Sequence, residues 1–243
     1  MRSLFLVVAA VLLCGMTPAL EQPQELKIPG LADQEQGALV LVSRVYPVGW
    51  SPEALFAYVY EPADEACGCY FFELIVQDLK SDRVAWRFEY SSDAFAPGGP
   101  GHFENLSEIW QAKHAEFAAK LRELGIAGHH QPAPIPFAGG PEKLKAKVST
   151  ETKGDDVEVF VHLSKYTVEL NGPKGRKTIF RSDKAGVTSD TFGPLQAAAN
   201  GYLRSPYDKR IAVLIEEKWR GWEGPPNVIR LRFAGADLER GFR

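Results

Sequence analysis

From residue 37 onward, the apolar positions of this chain recur with the two-residue period of β-strands or in short β-branched runs. Leu39, Val40, Leu41, Val42 and Val45 form one such run and predict a buried strand over 37–46. Strands follow over 55–60, 70–79 and 83–90. The last two are joined by the turn Asp78-Leu79-Lys80-Ser81-Asp82 and read as a hairpin. Val157, Val159, Val161 and Leu163 alternate with polar or aromatic neighbours, as do Tyr166, Val168 and Leu170. Asn171-Gly172-Pro173-Lys174-Gly175 then turns the chain into a strand over 176–180. Strands over 211–218 and 228–233 close the pattern, and the Ala-rich piece 196–200 reads as a helical turn.

One segment has a different period. Trp110, Phe117, Leu121 and Leu124 share a helical face, with Asn105 as N-cap, Glu108 reaching back to it, and Gly125 as the stop. This predicts a helix over about 105–124 within an insertion spanning 102–141. The rest of that insertion carries four prolines and His129-His130, and reads as irregular. Roughly nine or ten strands and one sizeable helix make a mainly β fold. The expected form is an antiparallel β-sandwich, or an open barrel-like or partial-propeller sheet, with one inserted α-helix.

The N-terminus follows other rules. Arg2 precedes the continuous apolar run 4–14, and Gly15, Thr17, Pro18 and Ala19 follow it. That order reads as a secretory signal peptide over 1–19, and the run is too short to span a bilayer. Cys14 offers a lipid-anchoring alternative, but Leu13 stands before it where a small residue is wanted. Residues 20–36 read as a tether or early loop, and 37–243 as a single β-rich domain. No transmembrane span is expected in the mature chain.

The formal net charge is −3, and losing 1–19 removes Arg2 and no acid. So mild a balance argues against nucleic acid as a general partner. With Cys14 in the leader, the mature chain keeps two of its three cysteines, Cys67 and Cys69. In an exported protein they suit one local disulfide, which constrains little of the unfolded chain. A redox dithiol or soft-metal pair is the other reading, but the nearby charges, Asp64 and Glu65, are acidic and would not activate a thiol.

One phrase occurs twice. Ser51-Pro52, a polar turn, then Phe56-Ala57-Tyr58 and Glu61 match Ser205-Pro206, a turn, then Ile211-Ala212-Val213 and Glu216. The phrase resembles the blade hairpins of TolB-type β-propellers, where Ser-Pro-Asp-Gly and a basic residue precede Ile-Ala-apolar. Asp208 holds the place of the family's Asp, Lys209 replaces its glycine, and Glu53-Ala54 has neither member. Two copies also fall short of the four blades that a closed propeller needs. Over about 40–90 and 197–235, the order Gly-Trp-Ser-Pro, Phe-Ala-Tyr, Ile-Val-x-Asp-Leu, Ile-Ala-Val and Gly-Trp-Glu-Gly-Pro looks like a group of bacterial predicted secreted proteins of unknown function. That resemblance implies export into a bacterial envelope and carries no catalytic residues with it.

Candidate chemistry is sparse. Gly49-Trp50-Ser51-Pro52-Glu53 lacks the closing glycine of a nucleophile elbow. Gly98-Gly99-Pro100-Gly101 is not followed by the Lys-Ser/Thr of a phosphate loop. His129-His130, His102, His114 and His162 match no metal spacing, so neither a metal nor a cofactor is expected. Carboxylates such as Glu61, Asp78, Glu216, Glu217 and Glu223 remain available to pair in space. Three of the five tryptophans, Trp50, Trp219 and Trp222, flank the repeated phrase. With Arg230 and Arg232, which share a strand face, they form a candidate ligand surface if exposed, and core anchors or a solvated face otherwise. The expectation is an exported, non-enzymatic binding or structural module, whose partner is an envelope protein, a peptide or a glycan. The alternative is an exported hydrolase or Cys-Gly-Cys redox protein whose site assembles across sheets.

Overall fold

The structure is a computed structural model that describes residues 20–34, 40–64, 67–126, 133–154, 161–189, 191–222 and 225–243. The fold is mainly β, with curled sheets forming a half-barrel and one substantial helix. A single helical turn, α1 (Leu31–Gln34), precedes the strands β1 (Val40–Val42), β2 (Arg44–Trp50), β3 (Leu55–Glu61), β4 (Phe71–Asp78) and β5 (Arg83–Ser91). The helix α2 (Leu106–Glu123) comes next. Then follow β6 (Ile135–Pro136), β7 (Lys145–Lys153), β8 (His162–Gly172), β9 (Gly175–Arg181), β10 (Gln196–Arg204), β11 (Arg210–Trp219) and β12 (Asn227–Asp237). Sheet I has the order β1-β12-β11-β10-β6, sheet II β2-β3-β4-β5, and sheet III β7-β8-β9. The β1–β12 pair is parallel and the others are antiparallel.

The two-residue period sorts the strands into layers. Ala57 and Val59 of β3, with Phe72, Leu74 and Val76 of β4, meet Ile109, Trp110, Phe117 and Leu121 of α2. On the other face of sheet II, Phe56, Tyr58 and Ile75 meet Ala212, Leu214 and Phe233 of sheet I. Ile211, Val213 and Ile215 leave β11 on the opposite side and pack on Tyr166, Val168 and Leu170 of sheet III. The order of layers is therefore α2, sheet II, sheet I, sheet III. Sheets I and II are each covered on both faces, which explains the near-continuous burial of β3, β4 and β11.

The helix ends as its sequence predicts. Asn105 Oδ1 accepts from the Glu108 N–H at 3.1 Å, and Glu108 reaches back to the Glu104 N–H at 2.8 Å. At the far end, Ile126 N–H donates to Leu121 O and Gly125 N–H to Arg122 O, with Gly125 at φ 68°. This paired closure needs a left-handed residue, which glycine supplies at no steric cost. No helix among the described residues is long and apolar enough to cross a membrane.

Several elements differ from the sequence expectation. The run read as one strand over 37–46 is divided at Ser43, with β1 in sheet I and β2 in sheet II. Residues 196–200 are not a helical turn but the start of β10, where Ala197, Ala198 and Ala199 lie opposite Glu217, Glu216 and Ile215 of β11. Local alanine preference yields there to the pairing that β11 offers. β7 was not foreseen, because its polar Lys-Ala-Lys-Val-Ser-Thr-Glu-Thr-Lys sequence leaves only Ala146 and Val148 to pack inward. Most of the alternating run 157–163 lies outside the described residues, as do 1–19 and His129-His130. Within the segment 20–36, read as a tether or early loop, the described residues 20–34 make contacts at both ends. Leu20 O lies 2.9 Å from His114 Nε2, and Leu31 is buried.

Candidate functional site

The repeated phrase builds two equivalent hairpins, β2–β3 and β10–β11. In each, the serine hydroxyl accepts backbone N–H groups of the turn. Ser51 Oγ takes Leu55 N, and Ser205 Oγ takes Tyr207 N and Asp208 N. Ala57 and Ala212 are fully buried at the packed sheet faces. The closing carboxylates are buried too. Glu61 accepts Tyr46 OH and Tyr70 OH, both at 2.6 Å, and pairs with Arg44 at 3.0 Å. Burial, and then the Glu61 charge, push both phenols upward. Glu216 accepts the Leu31 N–H at 2.6 Å and the Asn200 amide at 3.0 Å. Burial raises its carboxyl despite those two donors.

The third buried carboxylate, Glu217, faces sheet III from β11. Arg232 grips it with two bonds, Nε to Oε1 at 2.7 Å and Nη2 to Oε2 at 3.0 Å. Trp219 Nε1 donates to Oε2 at 3.2 Å, and Tyr166 OH donates to Oε1. Burial opposes the Arg232 charge, but the Glu217 carboxylate outweighs it and the guanidinium is held above its usual range. Burial and then Glu217 push the Tyr166 phenol upward as well. Each of these carboxylates joins a layer, strand or strap to its neighbour, which is a structural use of the charge.

Cys67 and Cys69 are bonded to each other at 2.04 Å, and Asp64 accepts both of their backbone N–H groups. The candidate ligand surface separates into two parts. Trp50 is not at the surface. It is 0% exposed and packs 4.6 Å from Phe56 in the core between sheets I and II. Arg232 is committed to Glu217. Of the remaining three, Trp219 and Arg230 stay together at one end of sheet I. Arg230 lies over the Trp219 ring at 4.9 Å, and Trp222, in the β11–β12 connection, is 86% exposed.

That end holds a cavity of ≈400 Å3, lined by Val161, His162, Thr191, Phe192, Gly193, Leu195, Trp219, Arg220, Pro225 and Asn227. Its rim is unusually apolar for a surface. Val161 (52%), Phe192 (51%) and Leu195 (37%) make up three of the eight exposed large apolar side chains among the described residues. His162 Nε2 is buried and has no protein hydrogen-bond partner. Sequence reasoning missed Phe192, Leu195, His162 and Asn227 as site residues. The available signal was two large apolar side chains in a Gly-Pro loop with no period to take them into a core. A larger cavity of ≈490 Å3 lies between residues 25–33 and β1–β2, but its buried carboxylate, Glu216, already anchors the strap. No protein-family model, curated protein or solved structure matches the chain.

Proposed function

We propose that the protein is an exported bacterial envelope module that binds a peptide or glycan at the cavity lined by Trp219 and Phe192. The observation that carries this reading is the gathering of exposed apolar side chains around one cavity. Large apolar groups scattered singly need no explanation, whereas a contiguous set around a concavity marks an interaction site. Support for a non-catalytic role comes from the carboxylates, because Glu61, Glu216 and Glu217 are each held by tyrosine, arginine or backbone donors. Export is supported by the charged, apolar and small-residue order of residues 1–19.

The test is a fluorescence and thermal-shift screen of the mature chain against defined envelope glycan fragments and end-blocked peptides. Saturable binding that is lost in Phe192→Ser and Leu195→Ser, with circular dichroism unchanged, supports the reading. If no member of either class shifts the melting temperature or the tryptophan signal, the binding-module reading fails. Mass spectrometry of the secreted chain tests export. A mature N-terminus at Leu20 is expected, and a lipid on Cys14 would replace that assignment.

A further inference from the structure

The edges of the three sheets are protected unequally. An unpaired edge strand offers a row of N–H and C=O groups to any other strand, and proteins blunt it by shortness, proline, bulges, lysine or a covering segment. β1 has three residues and β6 two, one of them Pro136. β2 carries Pro47 and a bulge, and Leu26 of the strap donates to its Val45 carbonyl. β7 holds Lys145, Lys147 and Lys153. β9 is met by the chain end, where Arg176 and Arg243 exchange backbone bonds of 3.1 and 3.0 Å. β5 differs from all of these. It has nine residues and neither proline nor lysine, and its register shift lies at the turn end, between Trp86 and Val84. Residues 67–126 around it are described without a break, and β4 is its one neighbour in sheet II.

The direction of its backbone groups follows from one bond. Ser92 N–H donates to Tyr70 O at 3.0 Å, and the register runs unbroken from Phe71↔Ser91 to Val76↔Trp86. Alternation along an antiparallel ladder turns the backbone groups of Trp86, Phe88 and Tyr90 towards β4, and those of Arg87, Glu89 and Ser91 towards the open side. Side chains alternate with the same period. Trp86, Phe88 and Tyr90 are half-buried on the face that carries α2, while the Arg87 and Glu89 side chains are 41% and 65% exposed.

This strand is complementary to itself. A second β5 laid antiparallel, with the two-fold axis at Phe88, sets Arg87 opposite Glu89 of the second copy and Glu89 opposite its Arg87. Trp86 then faces Tyr90, and Phe88 faces Phe88. Arg87 and Glu89 are the residues whose backbone groups point outward, so the register that pairs the charges also closes the hydrogen bonds. Moving the axis one residue, to Arg87 or Glu89, brings like charges face to face. Moving it two, to Trp86 or Tyr90, carries the pairing into the bulge or past Ser91. Within one chain, Glu73 and Glu89 lie opposite each other, and Arg87 reaches them at 3.5 and 2.9 Å. A second Arg87 would add a second cation to these two carboxylates. Lys113, 5.8 Å from the Phe88 ring centre, is paired with Glu116 at 3.0 Å, so the helices approach the axis with that charge balanced.

We infer that two copies of this chain join through their β5 strands, antiparallel about Phe88, and merge their four-stranded sheets into one continuous sheet. The surface is separate from the Trp219 cavity, so this inference stands or falls independently of the ligand reading.

Sedimentation equilibrium of the mature chain over ~1 μM to ~1 mM should show reversible monomer–dimer exchange. Amide hydrogen exchange at Arg87, Glu89 and Ser91 should slow as concentration rises, while Trp86, Phe88 and Tyr90, already bonded to β4, should not change. Arg87→Glu and Glu89→Arg should each weaken the dimer about tenfold, because either one sets like charges opposite each other on both sides of the axis. Mixed in equal amounts, the two variants should recover the dimer, since opposite charges then face each other at both positions. Loss through misfolding would not be rescued by mixing. Glu89→Pro removes an outward N–H, spares the β4 ladder and should give a monomer with unchanged circular dichroism. A monomer throughout the concentration range overturns the inference. So does a dimer that is indifferent to the charge variants, one that mixing does not restore, or one whose protection falls on residues other than those of β5.

Discussion

Replacing Arg232 by methionine tests whether the Glu217 cluster ties sheet I to sheet III. Glu217 is 1% exposed, and Arg232 holds it through two bonds of 2.7 and 3.0 Å. Methionine keeps most of the aliphatic stem but leaves the carboxylate with two neutral donors, Tyr166 and Trp219. Breaking a buried pair costs about 3–5 kcal/mol because a charge is left uncompensated. The Arg232 side chain is one-third exposed, and the two remaining donors stay in place, so the lower end, about 3 kcal/mol, applies here. For a urea slope of about 2 kcal/mol/M, that is a midpoint shift of roughly 1.5 M. The measurement is urea unfolding followed by circular dichroism at pH 7, with the slope checked for constancy. The double variant Arg232→Met/Glu217→Gln removes the stranded charge while its amide oxygen still accepts the Tyr166 hydroxyl. It should recover about half of the loss. A cost below about 1 kcal/mol for Arg232→Met, or a double variant less stable than Arg232→Met alone, would refute the account.

Three further outcomes follow from the strap and the helix. Gly30→Ala should loosen residues 20–34, because a Cβ there would sit 2.1 Å from the Glu216 oxygens. About 1–3 kcal/mol of destabilisation and faster hydrogen exchange at Leu31 are expected, and unchanged exchange would count against the strap's anchorage. Glu216 makes stability fall with rising pH. Its folded carboxyl is raised, so the native state binds the proton more tightly than the unfolded chain in the window above the unfolded value of about 4.3. This contribution is complete below that value and lost as pH climbs through the raised one. Paired urea titrations of the wild type and Glu216→Gln from pH 4 to 7 should show the wild type losing ground as pH rises, and a gain would contradict the sign. Asn105→Ala removes the acceptor of the Glu108 N–H and should cost about 1 kcal/mol, read as a drop in urea midpoint.

The helix and most strands were legible because their periods are local. Trp110, Phe117 and Leu121 sit on the buried face of α2 as their spacing requires, and Gly125 stops it. What escaped the sequence was set by pairing between distant segments. The run Val40–Val45 reads as one strand despite Ser43 and Arg44, yet it divides at Ser43 because β12 pairs with its first half and β3 with its second. Ala197, Ala198 and Ala199 favour a helix in isolation and form a strand because β11 lies alongside. Trp50 and Trp222 look alike as turn-flanking tryptophans. Only the layer order shows that one is enclosed between sheets I and II and the other projects from the end of sheet I.

The candidate site was half legible for the same reason. Trp219, Arg220, Pro225 and Asn227 belong to one stretch of sequence that crosses β11, its connection and β12, and a reading along the chain reached its Trp219. His162 opens β8, and Phe192 and Leu195 precede β10. They reach the same cavity only because β8 and β10 belong to facing sheets. The repeated Ser-Pro phrase lies away from this cavity, at the opposite ends of β10 and β11 from residues 195–196 and 218–219. Its serines close turns, its alanines permit close sheet packing, and its glutamates bind neighbouring segments. Repetition in this chain therefore follows the requirements of stacking two hairpins. The cavity draws on β8, the loop before β10 and the β11–β12 connection, where the phrase imposes nothing. A substitution in the phrase should accordingly act on stability and leave ligand affinity unchanged once the protein is folded, whereas Phe192→Ser should do the reverse.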